Sequence, residues 1–346
     1  MKKTLVALSV LAAASAQAGF EIYNQDGVTV NMGGDIEVVY VQGKAKDSNP
    51  VQEIQDADLD FDVRYAVNDS FQVGGFWQFT DVGQTEGDAY VAVYSDNYGS
   101  LKFGRTCTAL DDAGIGSDYQ FGLTTFFEDS EVYCADEIAR YDFDNGTFHA
   151  TLAAAQDMNG NIGLQDSSTF VDGKLGYRVA DFDLIAFYGN GTMASGVEET
   201  LWSAQAKYSG IENVELAVAY YDMTGKPASG DKTDTDTIAL AATYSMDKVT
   251  FAAGYSMSSS NANLYGTDVN GNQIEEKDLN AWYINAGYAI APNTTLYAEV
   301  GGDDGYSGTD TTTYAFTPAA GSVATTTTSD YQKNDIGFAV GVKAFF

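Results

Sequence analysis

Residues 56–67 read Asp-Ala-Asp-Leu-Asp-Phe-Asp-Val-Arg-Tyr-Ala-Val, and the order of these residues decides the fold. Leu59, Phe61, Val63, Tyr65 and Val67 take every second position, and Asp58, Asp60, Asp62, Arg64 and Ala66 fill the gaps. Side chains alternate across a strand, so this segment has one apolar face and one charged face. The last residues repeat the pattern: Ile336, Phe338, Val340, Val342, Ala344 and Phe346 alternate with Gly337, Ala339, Gly341, Lys343 and Phe345. Val214/Leu216/Val218/Tyr220, Ile238/Leu240/Ala242/Tyr244 and Val249/Phe251/Ala253/Tyr255 follow the same period.

The chain contains sixteen such segments. The first half predicts strands at 28–41, 56–67, 70–81, 89–95, 101–106, 137–144, 147–157 and 171–180. The second half predicts 182–190, 200–209, 214–222, 235–245, 249–256, 279–289, 294–301 and 335–346. Short turns such as Asn68-Asp69, Asn145-Gly146 and Ala180-Asp181 alternate with long polar loops such as 257–277 and 302–334. That layout matches a membrane-spanning barrel with turns at one rim and loops at the other.

A soluble sandwich also alternates, but its second face fills a dry core. Here that face carries Asp35, Glu37, Asp58, Asp60, Asp62, Lys174, Arg178, Lys207, Glu215 and Glu299. Burying them unpaired costs several kcal/mol each, a cost that a water-filled lumen removes. Tyrosines close the apolar faces at both ends: Tyr40, Tyr188, Tyr220 and Tyr255 at one, Tyr65, Tyr177, Tyr208, Tyr244 and Tyr288 at the other. Two such belts suit the two interfaces of a bilayer. The predicted fold is all-β, a 16-stranded antiparallel transmembrane barrel.

Composition narrows the function. Seventeen Lys and Arg stand against 49 Asp and Glu, a net charge of −32 that repels nucleic acid. One His and two Cys leave too few ligands for zinc clusters, and no cofactor or metal site is expected. His149 has no catalytic partners in the sequence and is placed on the barrel wall. Asp268-Val-Asn270-Gly-Asn272 has a calcium-loop flavour, but its Gly is fourth rather than sixth, which suits a solvated loop tip. Lys2, Lys3, the apolar run Leu5–Ala14 and Ala16-Gln17-Ala18 form an export signal. Cleavage after Ala18 leaves residues 19–346 as one barrel domain and moves the charge to −34 by removing two lysines.

At this point the chain resembles the Gram-negative general porins, trimeric barrels of sixteen strands, and among them acidic porin-like proteins of marine bacteria. The resemblance rests on the export signal, "EIYNQDGVTVNMGG" from Glu21, "LDFDVRYAVNDSF" from Leu59, "GSLKFGR" from Gly99, "EIARYDFDNGTF" from Glu137 and terminal Phe346. It implies an outer-membrane channel for ions and small hydrophilic solutes, assembled as a homotrimer in contact with lipid and lipopolysaccharide. It also implies that Phe346 is read by the barrel assembly machinery; a plain lipid-facing aromatic is the competing role.

The resemblance further implies that the third loop, 107–136, folds inward and narrows the lumen. That segment carries Asp111, Asp112, Asp118, Glu128, Asp129 and Glu131. Arg105 matches an Arg of the family's basic wall, and Arg140 another, placed nearer the short-turn rim. Where the family has a Lys and an Arg, this chain has Asp35 and Asp58, which depletes the basic wall. With Glu37, Asp60, Asp62, Arg64 and Lys102 these residues form the expected pore lining, and acidic rings favour cations. Cys107 and Cys134 both fall in this loop. An exported pair is expected to be bonded, with free thiols as the alternative. A selective oligosaccharide channel is the competing function and would need lumen aromatics, for which Phe76, Tyr90 and Tyr297 qualify. Trp77, Trp202 and Trp282 read as lipid-facing, and a barrel enzyme lacks its histidine.

Overall fold

The computed structural model describes residues 19–80, 85–123, 134–156, 168–193, 196–262, 268, 272, 274–275, 277–317 and 322–346. The expected export signal 1–18 and Glu128, Asp129 and Glu131 lie outside these residues.

Strands β1 (Phe20–Gln25), β2 (Val28–Gln42), β3 (Val51–Asn68), β4 (Phe71–Thr80), β5 (Thr85–Ser95) and β6 (Gly99–Cys107) precede the third loop. After it come β7 (Cys134–Asp144), β8 (Phe148–Gln156), β9 (Thr169–Val179), β10 (Phe182–Thr192), β11 (Glu198–Ile211) and β12 (Val214–Lys226). The chain ends with β13 (Thr233–Met246), β14 (Val249–Ser260), β15 (Asp278–Ala291), β16 (Thr294–Asp303), β17 (Tyr306–Thr317), β18 (Ser322–Lys333) and β19 (Gly337–Phe345). From β2 to β16 each strand pairs antiparallel with the next. β16 then pairs with β19, and β19 returns to β2. Sixteen strands therefore close on themselves, which leaves no unpaired edge facing lipid.

Alternation places the side chains as the sequence requires. Val63, Tyr65, Val73, Trp77, Val91, Phe103, Leu184, Trp202, Leu240 and Val340 stand exposed on the outside. Aromatic pairs cluster at the short-turn rim, with Phe148–Tyr177 centroids 4.8 Å apart and Phe182–Tyr208 4.7 Å apart. Those rims turn tightly. Asp26, Ala180, Asn213 and Asp247 all adopt positive φ. Gly99 (φ 79°) opens β6, and a Cβ there would lie 2.0 Å from the Asp142 carbonyl oxygen.

The structure departs from the sequence expectation at the chain's two ends. β1 was not expected; it pairs Phe20–Gln25 with Met32–Val28 across the Asp26-Gly27 turn. It lies on the same edge of β2 as β19, end to end with it, and Gly34 and Phe346 exchange both backbone hydrogen bonds at 2.9 Å. The expected loop 302–334 contains the hairpin β17–β18, with Thr311–Thr313 in register with Thr328–Thr326. Threonine is polar enough to look like loop, yet its branched Cβ favours strand.

Candidate functional site

The third loop begins at a disulfide. Cys107 and Cys134 are cross-strand partners at the ends of β6 and β7 and are bonded to each other. The bond ties the neck of a 28-residue loop, worth roughly 3–4 kcal/mol in a chain-entropy account. Beyond it, Thr108 caps a single 3-10 turn, Ala109–Asp112.

From that turn onward the loop is fastened to the inner wall of the barrel. Asp172 on β9 accepts the N–H groups of Ala109 (3.2 Å) and Leu110 (2.8 Å). Gln205 and Tyr221 both donate to the Ala113 carbonyl, at 2.6 and 3.1 Å. The Tyr283 hydroxyl accepts from Ser117 N–H at 2.6 Å, and Asn285 donates to the Ser117 carbonyl at 2.8 Å. Glu299 on β16 is 1% exposed and accepts three successive N–H groups, from Tyr119 (2.6 Å), Gln120 (3.0 Å) and Phe121 (2.7 Å). Tyr119 stacks on Tyr297 at 3.9 Å, and the Tyr297 hydroxyl donates to Glu37 at 2.5 Å. Leu110, Ile115 and Leu123 fill the space beneath, packed with Ile138, Phe170, Phe187, Leu201, Tyr221 and Tyr283. The buried carboxylates of Asp172 and Glu299 are tolerable here because backbone N–H groups of the loop satisfy them.

Charge on the remaining wall is segregated. Asp35, Glu37, Asp56, Asp58, Asp60 and Asp62 project inward from β2 and β3. Lys343 on β19 reaches Asp35 (3.0 Å), Glu37 and Asp56 (3.4 Å each). Arg64 is folded back on Asp62 at 2.7 Å. Around the circumference, on β6 to β9, lies a basic group. Arg140 binds Asp112 of the loop at 2.7 Å and Asp142 at 2.9 Å, Lys174 binds Asp112 at 3.1 Å, and Lys102 binds Asp142 at 3.4 Å. Arg178 pairs with Asp144, and His149 lies 2.8 Å from Asp183. A cavity of about 590 Å³ under the loop lies between these walls, lined by Arg64, Tyr94, Asp112, Arg140, Lys174 and Lys207 among others.

The expected lining residues divide by place. Asp35, Glu37, Asp58, Asp60, Asp62 and Arg64 form the acidic wall; Lys102, Arg140, Asp111 and Asp112 meet at the loop's root; Asp118 sits near its tip. Asp35 and Asp58 face each other on β2–β3, and the basic side chains Lys102, Arg140 and Lys174 lie on β6–β9. Arg140 stands nearer the Asp144 end of β7 than the Cys134 end, and its guanidinium reaches the carbonyls of Cys107 and Thr108, at the root of the loop. Arg105 pairs with Asp136 where the β6–β7 ladder is bulged. Burial raises the carboxyl pKa of Asp111, helped by adjacent Asp112, and burial likewise raises that of Asp118.

Sequence reasoning missed Lys343 and Asp56, although both lie on the polar faces of alternating strands. It placed Glu299 in the lumen but not as the loop's anchor, and Asp172 not at all. A carboxylate that faces water and one that receives three amides read alike in one dimension.

The family model for Gram-negative porins matches residues 4–309. The chain belongs to the Gram-negative porin family. It is 31% identical over 322 residues to a porin-like protein H of Photobacterium profundum, covering 88% of this chain and 95% of that one. It is 27% identical to an outer membrane protein U of Vibrio parahaemolyticus, over 86% of this chain and 88% of the relative. Among solved structures, OmpT of Vibrio cholerae superposes with a TM-score of 0.74 at 21% identity, covering 94% of this chain and all of the other. An anion-selective porin from Comamonas acidovorans superposes at 0.70 with 16% identity, covering 92% of this chain and all of that one. The porin is an outer-membrane protein, and family and barrel together make it a channel rather than an enzyme. Because the same fold serves an anion-selective relative, charge preference has to be argued from side chains.

Proposed function

We propose that this porin is a cation-selective, water-filled channel for passive diffusion of ions and small hydrophilic solutes. The observation that carries the reading is the acidic wall: six inward carboxylates on β2 and β3, opposed locally by Lys343 and by Arg64. The basic groups of β6–β9 are countered by the loop's Asp112 and by Asp142 and Asp144, so they contribute little net positive field. Fixed negative charge raises the local cation concentration within a Debye length, about 8 Å at 0.15 M salt. The inward loop sets the size limit, and its carboxyls add to the cation preference. Reversal potentials across planar bilayers in a KCl gradient test this directly. A sign showing K⁺ preference is expected, and a Cl⁻ preference overturns it.

Assembly follows the same reading. The chain is exported with cleavage after Ala18, Phe346 serves as the assembly signal, and the barrel is a homotrimer. A trimer form of the structurally similar Vibrio cholerae OmpT supports that state. Its acidic outer loops bridge lipopolysaccharide through divalent cations, so chelation is expected to weaken retention in the membrane. Step counting in single-channel records reads the oligomer: three equal steps per insertion support a trimer.

A further inference from the structure

Two groups of inward-facing aromatics differ among the described residues. Phe170, Phe187, Tyr221, Tyr283 and Tyr297 are at most 3% exposed, because the third loop lies over them. Phe76, Tyr90 and Tyr94, on β4 and β5, stay half-buried on the open side of the lumen, flanked by side chains of the wall. Their lipid-facing neighbours Val73, Trp77, Val91 and Val93 carry the membrane contact, so these three rings are not part of the outer belt.

The three rings form one strip. Phe76 and Tyr90 are cross-strand partners with centroids 5.3 Å apart and planes 16° from parallel. Tyr94 continues on the same face four residues along β5, about 13 Å of strand. Two glycines make room beside it. Gly74 sits opposite Arg64, where a Cβ would meet the Val63 carbonyl at 2.3 Å, and the Arg64 guanidinium lies 4.1 Å from the Tyr94 centroid. Gly104 (φ 138°) sits opposite Tyr90, where a Cβ would approach Tyr90 Cα at 2.9 Å. The Lys102 ammonium stands 5.4 Å from the Tyr90 centroid.

We propose that the Phe76–Tyr90–Tyr94 strip is a binding track for a linear, neutral oligosaccharide on its way through the lumen. Aromatic rings accept the apolar faces of sugars, and convergent polar side chains fix their hydroxyls. Gln72, Gln78, Asp62, Asp88, Arg64 and Lys102 border the strip and supply both donors and acceptors. Charge selects the neutral class. Arg64 and Lys102 already stand over the rings, which disfavours a cationic solute, while Asp62 and Asp88 disfavour an anionic one. The track leads into the 590 Å³ cavity through Arg64, Gln72 and Tyr94, which line both.

The inference rests on the open-channel reading, and the test separates the two. Purified full-length channels in a planar bilayer are exposed to maltohexaose, to chitohexaose and to a polyethylene glycol of similar hydrodynamic size. At least one saccharide is expected to interrupt the current reversibly and saturably, whereas the glycol only scales conductance. Tyr90→Ala and Tyr94→Ala are each expected to raise the half-blocking concentration about tenfold, the worth of one stacking contact. Trp77→Phe, on the lipid side of β4 beside Phe76, keeps the block. If an alanine variant fails to insert, Tyr90→Leu and Tyr94→Leu keep bulk, lose the ring and carry the same expectation. Channels that open in KCl yet ignore both saccharides, or are blocked equally in the ring-deleted variants, overturn the track. A protein that never opens overturns the channel reading instead.

Discussion

The wall under the third loop and the wall opposite it are made by the same alternation, yet they end as different materials. On β9 to β16 the part of the inward face beneath the loop is dry. Aromatics there are fully buried, and Asp172 and Glu299 act as acceptors for backbone amides. On β2 to β6 the inward face stays wet, its carboxylates crowd one another, and its rings remain half-exposed. One segment of about sixteen residues makes the difference. A lumen position is thus a core position or a pore position according to whether the loop lies on it, and the channel is the part left uncovered.

The sharpest way to break that comparison is to release the loop. Glu299→Ala deletes the acceptor of three buried amides, each of which costs about 1–3 kcal/mol when orphaned. The expected outcome is a larger and noisier single-channel conductance as the tip leaves the wall, with the barrel itself intact on heat-modified electrophoresis. Glu299→Gln keeps one acceptor oxygen and is expected to fall between. Unchanged conductance in Glu299→Ala would show that apolar packing of Leu110, Ile115 and Leu123 alone seats the loop.

Next in size is the disulfide. Replacing Cys107 and Cys134 together by Ser removes the roughly 3 kcal/mol constraint on the loop's neck. Arg140 still grips the Cys107 and Thr108 carbonyls and Asp112 there. Conductance is therefore expected to fluctuate more without shifting its mean as far as Glu299→Ala does. Reductant added to the wild-type channel should reproduce the effect, and records that stay quiet would assign seating to the wall contacts alone.

How much of this was legible beforehand follows from physics. Alternation and turns gave the sixteen closing strands, because period two survives in one dimension. Cys107 and Cys134 declared themselves as the only cysteines of an exported chain. Asp35 and Asp58 were recognisable as lumen groups because no dry core would hold them. The grip of Arg140 on the Cys107 and Thr108 carbonyls was not legible, since it depends on how the loop folds back over the wall. The roles of Asp172 and Glu299 were hidden for another reason: the amides they accept are more than 60 and about 180 residues away. The β17–β18 hairpin was hidden by its threonines.

A smaller effect comes from the acidic wall. Asp35→Asn with Asp58→Asn removes two of six inward carboxylates while leaving the loop's anchors in place. The ratio of K⁺ to Cl⁻ permeability is expected to fall about twofold, the scale of a few tenths of a kcal/mol for exposed charges. Lys343→Gln moves it the other way by exposing Asp35, Glu37 and Asp56. A preference that ignores both changes would place selectivity in the outer loops.

The smallest effect is in pH. Burial raises the carboxyl pKa of Asp111 and Asp118 above the ordinary carboxylate range. Above that raised pKa both are charged, and their partial desolvation beside the wall opposes the loop's seating. As pH falls through it, the folded state takes up protons before the unfolded state would, so the loop becomes more firmly seated. The same protonation removes two charges from the lumen. Mild acidification, still above the range where exposed carboxylates titrate, is therefore expected to lower cation preference slightly while quietening the current. Asp118→Asn should remove part of the pH response and leave the neutral-pH conductance nearly as it was. A response undiminished in the double variant Asp111→Asn, Asp118→Asn would locate the titrating groups on the wet wall, and the division between the two walls would lose its electrostatic half.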